Sequence, residues 1–472
     1  MSSRSLRPDG TISPHIDRLK SRSQYSAAPF SVTSTPLSWS LLHMSNAAHN
    51  EKTAVDSFGR DGDVISATVL LAQIPALANQ SAPQIVGALV SLQNAIRDTP
   101  LWQNREATLV YPLASHTGVI LIVPDRANTY IHHYVDDILS ALYKHTVSVR
   151  IGVAWGTLEL LEDSDDNLNA IGTPINVAAR LAYSTSNPGF LFDSSYVQFS
   201  SATLDPQQSF GPFGSLPTLS VKGKAHDTHP FQCKAITADR LTHLTLDQSR
   251  TGLTESALRR TSKTFNGVVV AYDLPKFSQG DRSQLSKRFR STVDAFKKLR
   301  RHDPSRDRML HFSPGGDGGI AVFEADRTRG YDDAVEFAKL LAVESEGKSD
   351  RIEVNARIGL HYGGVVAYES LNGVYRPTGR SCFIADAITG DEVAKEANSV
   401  VFTETMADIV SNGSTKYLRE HFRELPPLEQ GPAAGLRRYV ARHIGRSEGG
   451  GSPSIGAVSL PGSSWYLDDS PS

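Results

Sequence analysis

The chain has 472 residues, a length typical of two or three domains. Its 48 basic and 50 acidic residues leave a net charge of −2, which excludes a protein that binds nucleic acid or anionic lipid through bulk charge. Two cysteines and no apolar run of about 18 residues exclude a secreted disulfide scaffold and a membrane-spanning receptor. The basic, serine-rich start without an apolar core does not have the pattern of a secretory signal. We therefore expect a globular cytoplasmic protein.

Most of the chain is an internal repeat with a period of roughly 200 residues, which indicates two copies of one domain rather than a solenoid. We place the N-terminal copy at 62–236 and the C-terminal copy at 265–443, joined by a polar linker at 237–264. Residues 1–61 form a serine-rich arm, and residues 444–472 form a flexible Gly/Ser/Pro tail.

Four pairs of matching segments predict the same elements in both copies. The first pair, 66–78 with 266–278, predicts a buried strand followed by proline and the start of a helix. The second pair, 116–123 with 317–324, predicts a hairpin strand, and the third, 129–145 with 331–345, predicts an amphipathic helix. The fourth pair, 149–160 with 356–367, predicts a strand, a glycine turn and a second strand. The order β-α-α-β-β-α-β-β predicts an α+β fold with helices covering a mainly antiparallel sheet.

The C-terminal copy carries two aspartates at predicted strand ends. Asp273 ends a strand, and Asp317 lies in a glycine-flanked turn 44 residues later (317 − 273). If the strands are neighbours, the carboxylates converge, and a divalent cation relieves their repulsion. Mg²⁺ prefers one or two carboxylates together with water and phosphate oxygens. Either aspartate alone is equally well explained as a turn residue, because Asp-Gly is a favoured turn pair.

The N-terminal copy lacks both acids, with Gln73 and His116 in their places. It carries instead Asn176 and Arg180, which share one helix face at i and i+4. In the C-terminal copy the matching helix positions are apolar: Phe383 and Ala387. The losses are therefore complementary, which predicts one complete site and one dead site. The alternative for Asn176 and Arg180 is a solvated helix face without a function.

Together these motifs resemble the class III nucleotidyl cyclases, and the resemblance covers both copies. It implies two ferredoxin-like, palm-related domains that pair head to tail within one chain, so that a monomer is sufficient. It also implies a phosphorus–oxygen lyase that converts a nucleoside triphosphate to a 3′,5′-cyclic nucleotide and pyrophosphate. Two Mg²⁺ or Mn²⁺ ions are the expected cofactors.

The resemblance assigns roles to individual residues. It implies that Asp273, the Leu274 carbonyl and Asp317 of the C-terminal copy bind the metal ions. In the N-terminal copy it implies that Asn176 binds the ribose, Arg180 the α-phosphate and Lys222 the β- and γ-phosphates. No side-chain general base is required, and His361 is interpreted as structural.

The base-reading positions depart from the pattern of adenylyl and guanylyl enzymes. They fall on or near Pro112 and on Asn169, where neither the Lys and Asp pair nor the Glu and Cys pair is found. Asn169 offers both a donor and an acceptor, and Tyr111 offers a ring or a hydroxyl. With its stand-alone layout, the chain resembles the pyrimidine cyclases of bacterial anti-phage (Pycsar) signalling. This resemblance implies UTP or CTP as substrate, UTP being favoured.

Three alternatives remain. The segment SPGGDGG is similar to the signature of diguanylate cyclases but lacks its glutamate. A cyclase-like pair could sense a nucleotide without catalysis, although Asp273, Asp317, Asn176 and Arg180 are all present. An adenylate cyclase with unusual base readers would use the same site on ATP.

Overall fold

The computed structural model describes residues 58–75, 77–115, 117–145, 148–163, 167–184, 189–203, 213–215, 231–233, 262–274, 282–302, 309–315, 318–325, 329–343, 356–389 and 399–441. The tail, most of the N-terminal arm and most of the linker lie outside these residues, as do Asp317 and Lys222. Everything described lies in one compact unit, Ser45–Ser472.

The first sheet and its helices make up what we call the N-terminal half. Its strands are β1 Val64–Gln73, β2 Tyr111–Ser115, β3 Gly118–Pro124, β4 Arg150–Glu162, β5 Leu168–Ile171, β6 Gly189–Phe192, β7 Phe213–Ser215 and β8 Phe231–Cys233. Its helices are α1 Ala82–Arg97, α2 Pro100–Gln103, α3 Arg105–Thr108, α4 Val135–Lys144, α5 Thr173–Ser184 and α6 Ser194–Thr203, with 3₁₀ turns at Leu77–Asn79, Asp125–Ala127 and Ile131–Tyr134.

The second sheet and its helices make up the C-terminal half. Its strands are β9 Ser262–Asp273, β10 Met309–Gly315, β11 Gly318–Glu324, β12 Arg357–Glu369, β13 Tyr375–Thr378, β14 Val400–Thr403, β15 Phe422–Leu425 and β16 Arg438–Ala441. Its helices are α7 Arg282–His302, α8 Arg329–Val343, α9 Arg380–Thr389, α10 Glu404–Val410 and α11 Thr415–His421.

Within the described residues the two sheets have the same topology. Their strand orders are β2-β3-β1-β4-β6-β8-β7, with β5 on β4, and β10-β11-β9-β12-β14-β16-β15, with β13 on β12. All pairings are antiparallel except β4 with β6 and β12 with β14. The expected α+β fold with mainly antiparallel sheets is confirmed.

Apolar periodicity explains which faces are buried. The β-branched runs predicted as buried strands form the central strands β1 and β9, in line with the sequence prediction. Helix α1 begins where the Ser81 backbone N–H donates to Gln84 Oε1, a helix-start contact that satisfies an otherwise unpaired donor. Its buried stripe follows helical spacing, and α7 repeats that stripe in the second half: Ile85, Leu89, Leu92 and Ile96; Leu285, Phe289, Val293 and Phe296.

The predicted glycine turns at 149–160 and 356–367 are wrong, because each segment is one continuous 13-residue strand, β4 or β12. The glycines serve close approach rather than chain reversal. A Cβ on Gly156, which has a φ of +156°, would lie 2.9 Å from Pro174 Cγ. Each strand is therefore long enough to pair with the central strand and then with the short strand beyond it.

The two halves exchange apolar side chains across their boundary. Val366, Tyr368 and Phe383 of the C-terminal half lie in the apolar core of the N-terminal half. Leu161 and Ile171 of the N-terminal half lie in the core of the C-terminal half. Because each core is completed by the other half, the halves stabilise one another.

Polar contacts cross the same boundary. The Ser286 hydroxyl donates to Glu159 Oε1 at 2.6 Å, and Arg290 Nη1 lies 3.0 Å from Asp61 Oδ2. Among the described helices none combines the length and apolarity needed to span a membrane.

Candidate active site

Strand register shows that Asp273 and Gln73 hold the same place in the two sheets. Asp273 ends β9, opposite Gly318 on one neighbour and Arg357 on the other. Gln73 ends β1 and is flanked by the same two residue types: Gly118 and Arg150. The sequence alignment of these two positions is confirmed.

The partner of Asp317 in the N-terminal half is Thr117, so the sequence alignment with His116 is wrong by one residue. The strand pairing of the two hairpins ends at equivalent pairs, Ser115 with Gly118 and Gly315 with Gly318, and two residues separate the members of each pair. Thr117 follows Gln73 by 44 residues (117 − 73), the separation of the two aspartates. Gln73 Nε2 lies 3.5 Å from Thr117 Oγ1, so side chains at these two positions meet.

Asp273 is the described member of the acid pair. Its carboxylate is 35% exposed, and its Oδ2 lies 3.4 Å from Arg357 Nη1. The next residue, Leu274, is buried in the core of the C-terminal half, which fixes the backbone that bears its carbonyl. Gly318, directly opposite Asp273, follows Asp317 in the sequence, so the second carboxylate belongs to a residue adjacent to this ladder position.

The donor set fits a divalent cation of the Mg²⁺ class. A partly exposed carboxylate and the carbonyl of the next residue are hard oxygen donors, and Asp317, which lies outside the described residues, would add a second carboxylate. Strand β11 approaches β9 closely at its first residue, since a Cβ on Gly318 would lie 2.4 Å from the Tyr272 carbonyl oxygen. Among the described residues no cluster of three or more His, Cys, Asp or Glu is found.

Arg357 is a site residue that the sequence analysis did not single out. Only 14% of its side chain is exposed, beside the carboxylate of Asp273, and its Nε is buried without a hydrogen-bond partner. A half-satisfied guanidinium one strand away from Asp273 is suited to a phosphate. The sequence feature that could have identified Arg357 is the recurrence of arginine at the start of both long strands, at Arg150 and Arg357.

The helices α5 and α9 occupy the same place in the two halves. A Cβ on Gly152 would lie 1.9 Å from the Ala178 carbonyl oxygen, and one on Gly359 would lie 2.5 Å from the Ala385 carbonyl oxygen. These contacts share one offset of 207 residues (385 − 178), which confirms two further alignments: Asn176 with Phe383, and Arg180 with Ala387.

Asn176 and Arg180 project from the outer part of α5. The inner face of the helix is buried against its own sheet, whereas Asn176 is half-buried and Arg180 is exposed. Phe383, the counterpart of Asn176, is only 6% exposed because it packs into the core of the other half. The same helix position thus carries a polar group in one half and a packing group in the other.

The residues predicted to read the base meet at β5. The Tyr111 hydroxyl donates to the Leu168 carbonyl at 2.9 Å, and its ring stacks on Phe58 with centroids 4.8 Å apart. The Tyr111 hydroxyl therefore donates its proton to a backbone carbonyl of the protein. The neighbouring Asn169 is half-buried, and its Nδ2 lies 3.5 Å from Oδ2 of Asp163, a fully buried acid that the sequence analysis missed.

His361 behaves as a structural residue. It is buried, and its Nδ1 lies 2.9 Å from Thr403 Oγ1. Burial, together with the nearby Arg380 charge, lowers the pKa of His361 to about 4, so the ring is neutral near pH 7. The corresponding residue of the other half is Ala154 (361 − 207).

No protein-family model matches the chain, and no curated protein matches it significantly. Among solved structures it is similar to a class III adenylyl cyclase-like ATP-binding protein from Pseudomonas aeruginosa, with 13% identity, a TM-score of 0.46, and coverage of 77% of this chain and 92% of that one.

The fold is also similar to guanylyl cyclase domains of two fungi. A double mutant of the RhoGC domain from Blastocladiella emersonii is 17% identical, with a TM-score of 0.29 and coverage of 38% of this chain and 97% of that one. The RhGC domain from Catenaria anguillulae in complex with GTP is 17% identical, with a TM-score of 0.29 and coverage of 36% and 96%.

Proposed function

We propose that this protein is a nucleotidyl cyclase that converts a pyrimidine nucleoside triphosphate to the 3′,5′-cyclic nucleotide and pyrophosphate. One site lies between the halves, with acids from the C-terminal half and an amide and a guanidinium from the N-terminal half. UTP is the favoured substrate and CTP the second choice.

One observation carries the proposal: the two halves keep opposite parts of one site at equivalent backbone positions. Asp273 stands where the other half has Gln73, while Asn176 and Arg180 stand where the other half has apolar residues. The reciprocal exchange of core side chains supports a pairing in which a single cleft uses both halves. Independent decay of two unused sites would not preserve one complete set.

The side chains divide the chemical work by charge. Asp273, Asp317 and the Leu274 carbonyl would hold two divalent cations, which supply positive charge to the triphosphate and acidify the ribose 3′-hydroxyl. Arg357, beside Asp273, binds the phosphate chain. Asn176 orients the ribose by hydrogen bonds.

Arg180 acts on the charge that develops at the α-phosphate. The 3′-oxygen forms its bond to the α-phosphorus as the bond to the leaving pyrophosphate breaks, and the released proton goes to solvent. Because the α-phosphate charge is greatest in the transition state, the guanidinium of Arg180 lowers the barrier more than it tightens substrate binding. Lys222 is assigned to the leaving β- and γ-phosphates.

Asn169 and its surroundings support a pyrimidine. The base-reading position holds a neutral amide, and the Tyr111 hydroxyl is already bonded to backbone, so the site lacks the charged pair that reads a purine in the resembling enzymes. A neutral site of this kind suits the smaller pyrimidine base, to which the amide can add one hydrogen bond.

The test is to incubate purified full-length protein with each of the four ribonucleoside triphosphates and Mn²⁺ and to identify the products by mass. We expect cyclic UMP or cyclic CMP together with pyrophosphate. Cyclic AMP as the main product would favour an adenylate cyclase, and a dinucleotide would favour a diguanylate cyclase. Binding without any pyrophosphate release would favour a sensing module.

The resemblance to Pycsar enzymes extends the proposal to a second messenger in bacterial antiviral defence. In a phage challenge of bacteria that express the protein, cyclic pyrimidine nucleotide should rise after infection, and the Asp273→Asn variant should show no rise. An unchanged nucleotide level in infected cells would contradict this role.

A further inference from the structure

A buried carboxylate lies behind the base-reading amide. Asp163 is 0% exposed and accepts hydrogen bonds from the backbone N–H of Asn167 at 3.0 Å and from its Nδ2 at 3.2 and 3.3 Å. Asn169 Nδ2 lies 3.5 Å from Asp163 Oδ2, the same oxygen that Asn167 Nδ2 contacts at 3.3 Å, and this distance is at the outer edge of hydrogen-bond range. A buried acid in this place requires a reason, because burying a carboxylate costs free energy that its hydrogen bonds must offset.

Closing the turn between β4 and β5 is not that reason. Asp163 N donates to the Asn167 carbonyl at 2.9 Å, and in the C-terminal half Ser370 N donates to the Val374 carbonyl at the same distance. Ser370 is the register equivalent of Asp163 (370 − 163 = 207), so this turn forms equally well without a carboxylate. The residue in the place of Asn169 is there Arg376, which is also buried.

The face of β5 that carries Asn169 is turned toward the other half. Leu168 and Ala170 pack in the core of the N-terminal half, whereas Ile171 packs in the core of the C-terminal half. Since side chains alternate along a strand, Asn169 shares the face of Ile171. Its cross-strand partner Leu161 also packs in the core of the C-terminal half, which contains Leu274.

The carboxylate fixes which end of the amide faces outward. A carboxylate only accepts hydrogen bonds, so the amide nitrogen of Asn169 turns toward Asp163 and its carbonyl oxygen points elsewhere. Building on the proposed function, we propose that Asp163 is a positioning residue for base selection, which makes Asn169 present a hydrogen-bond acceptor to the nucleobase. The preferred base then offers a donor at this edge, such as the N3–H of uracil or the 4-amino group of cytosine.

The test compares the four ribonucleoside triphosphates with Mn²⁺, by turnover and by displacement of a fluorescent nucleotide, on the full chain. The variants are Asp163→Ser, which copies the other half, and the conservative Asp163→Asn. Ser370→Ala is the matched control. We expect both Asp163 variants to lower the selectivity ratio of the best to the second-best nucleotide about tenfold, the worth of one oriented hydrogen bond. The change should appear in KM and Kd, with kcat for the best nucleotide within about threefold.

A double variant separates positioning from stability. If Asp163 acts through Asn169, Asp163→Ser adds no further loss of selectivity to Asn169→Ala. Thermal melting checks the fold of each variant, and Asp163→Asn remains available if the serine variant melts early. An unchanged selectivity ratio in the Asp163 variants, an equal loss for all four nucleotides, or additive effects with Asn169→Ala would overturn the proposal.

The two proposals fail differently. If the wild type turns over a pyrimidine and Asp163→Ser keeps its preference, only the positioning role is wrong. If the wild type binds nucleotides selectively without turnover, the enzyme proposal is wrong, and Kd ratios still decide the role of Asp163. If no nucleotide binds or reacts, both are wrong.

Discussion

In the C-terminal sheet the central strand ends in Asp273, a partly exposed carboxylate beside Arg357, whereas in the N-terminal sheet the same ladder position holds Gln73, a buried amide beside Thr117. At the two equivalent helices the polarity is reversed. Asn176 remains accessible, and Phe383 is packed into the opposite core.

This difference teaches how one backbone serves two purposes. Where the acids are lost, the site is closed by a neutral polar pair and by the Phe383 and Tyr368 side chains, which become core. Where the acids are kept, the strand end stays open and charged. The side without the acids thus contributes packing between the halves, and the side with Asp273 is the one to which we assign the proposed chemistry.

The largest expected effect is at the acids. Asp273→Asn should lower kcat about a thousandfold or more, because the several kcal/mol supplied by the metal charge depend on this ligand. Asp317→Asn should do the same. The matched change Gln73→Asn should retain most of the activity. Steady-state pyrophosphate release measures all three. Equal inactivation by Gln73→Asn would reverse the assignment of the two sites.

The next effect is at Arg180. Arg180→Ala should lower kcat about 10²- to 10³-fold with little change in KM, as expected for charge stabilisation in the transition state. Ala387→Ser, at the equivalent position, should leave both parameters unchanged. The pair Phe383→Asn and Ala387→Arg should not create a second site, since Gln73 and Thr117 provide no carboxylate. A gain in the number of nucleotides bound per chain would contradict this view.

A third effect separates packing from chemistry at one helix position. Phe383→Ala removes a buried ring and should lower the free energy of unfolding by about 3 kcal/mol. Asn176→Ala, the alanine substitution at the equivalent position of the other half, should lower the free energy of unfolding by less than about 1 kcal/mol because the Asn176 side chain is half-buried. Urea unfolding gives the stabilities. Asn176→Ala should still impair turnover strongly, and a result with the roles exchanged would refute the comparison.

The two strand-start arginines give a smaller contrast. Arg357→Gln should raise KM for the triphosphate about tenfold, the loss expected for a partly buried charge-assisted contact. Arg150→Gln lies beside Gln73 rather than beside an acid and should change KM little. Similar KM values for wild type and Arg357→Gln would remove Arg357 from the phosphate site.

The smallest effect concerns pH. The pKa of folded His361 is lowered to about 4 from 6.5, so the unfolded chain binds a proton first as the pH falls. Stability should therefore decline between pH 6.5 and 4. His361→Gln should make this decline shallower. Some slope should remain, since burial lowers the pKa of His132 to about 3. An identical pH dependence of melting in the variant would show that His361 does not contribute.

The sequence alone determined the central strands, the hairpins and the amphipathic helices, because their signals are local periodicities. It also paired Asp273 with Gln73 and Asn176 with Phe383 correctly, since each pair lies within a strongly patterned segment. It could not decide between strand and turn at Gly156, because glycine serves a reversal and a close approach equally well.

The tertiary structure decided what depends on contacts between distant segments. Only the ladder register showed that Thr117, rather than His116, is the equivalent of Asp317 in the other half. The two adjacent glycines after Asp317 allow a sequence alignment to shift by one residue. Only the structure showed that Asp163 is buried behind Asn169 and that Phe383 completes the core of the other half. Gln73 and Thr117, like Phe383 and the core that it completes, lie far apart in the chain, and local patterns carry no record of such contacts.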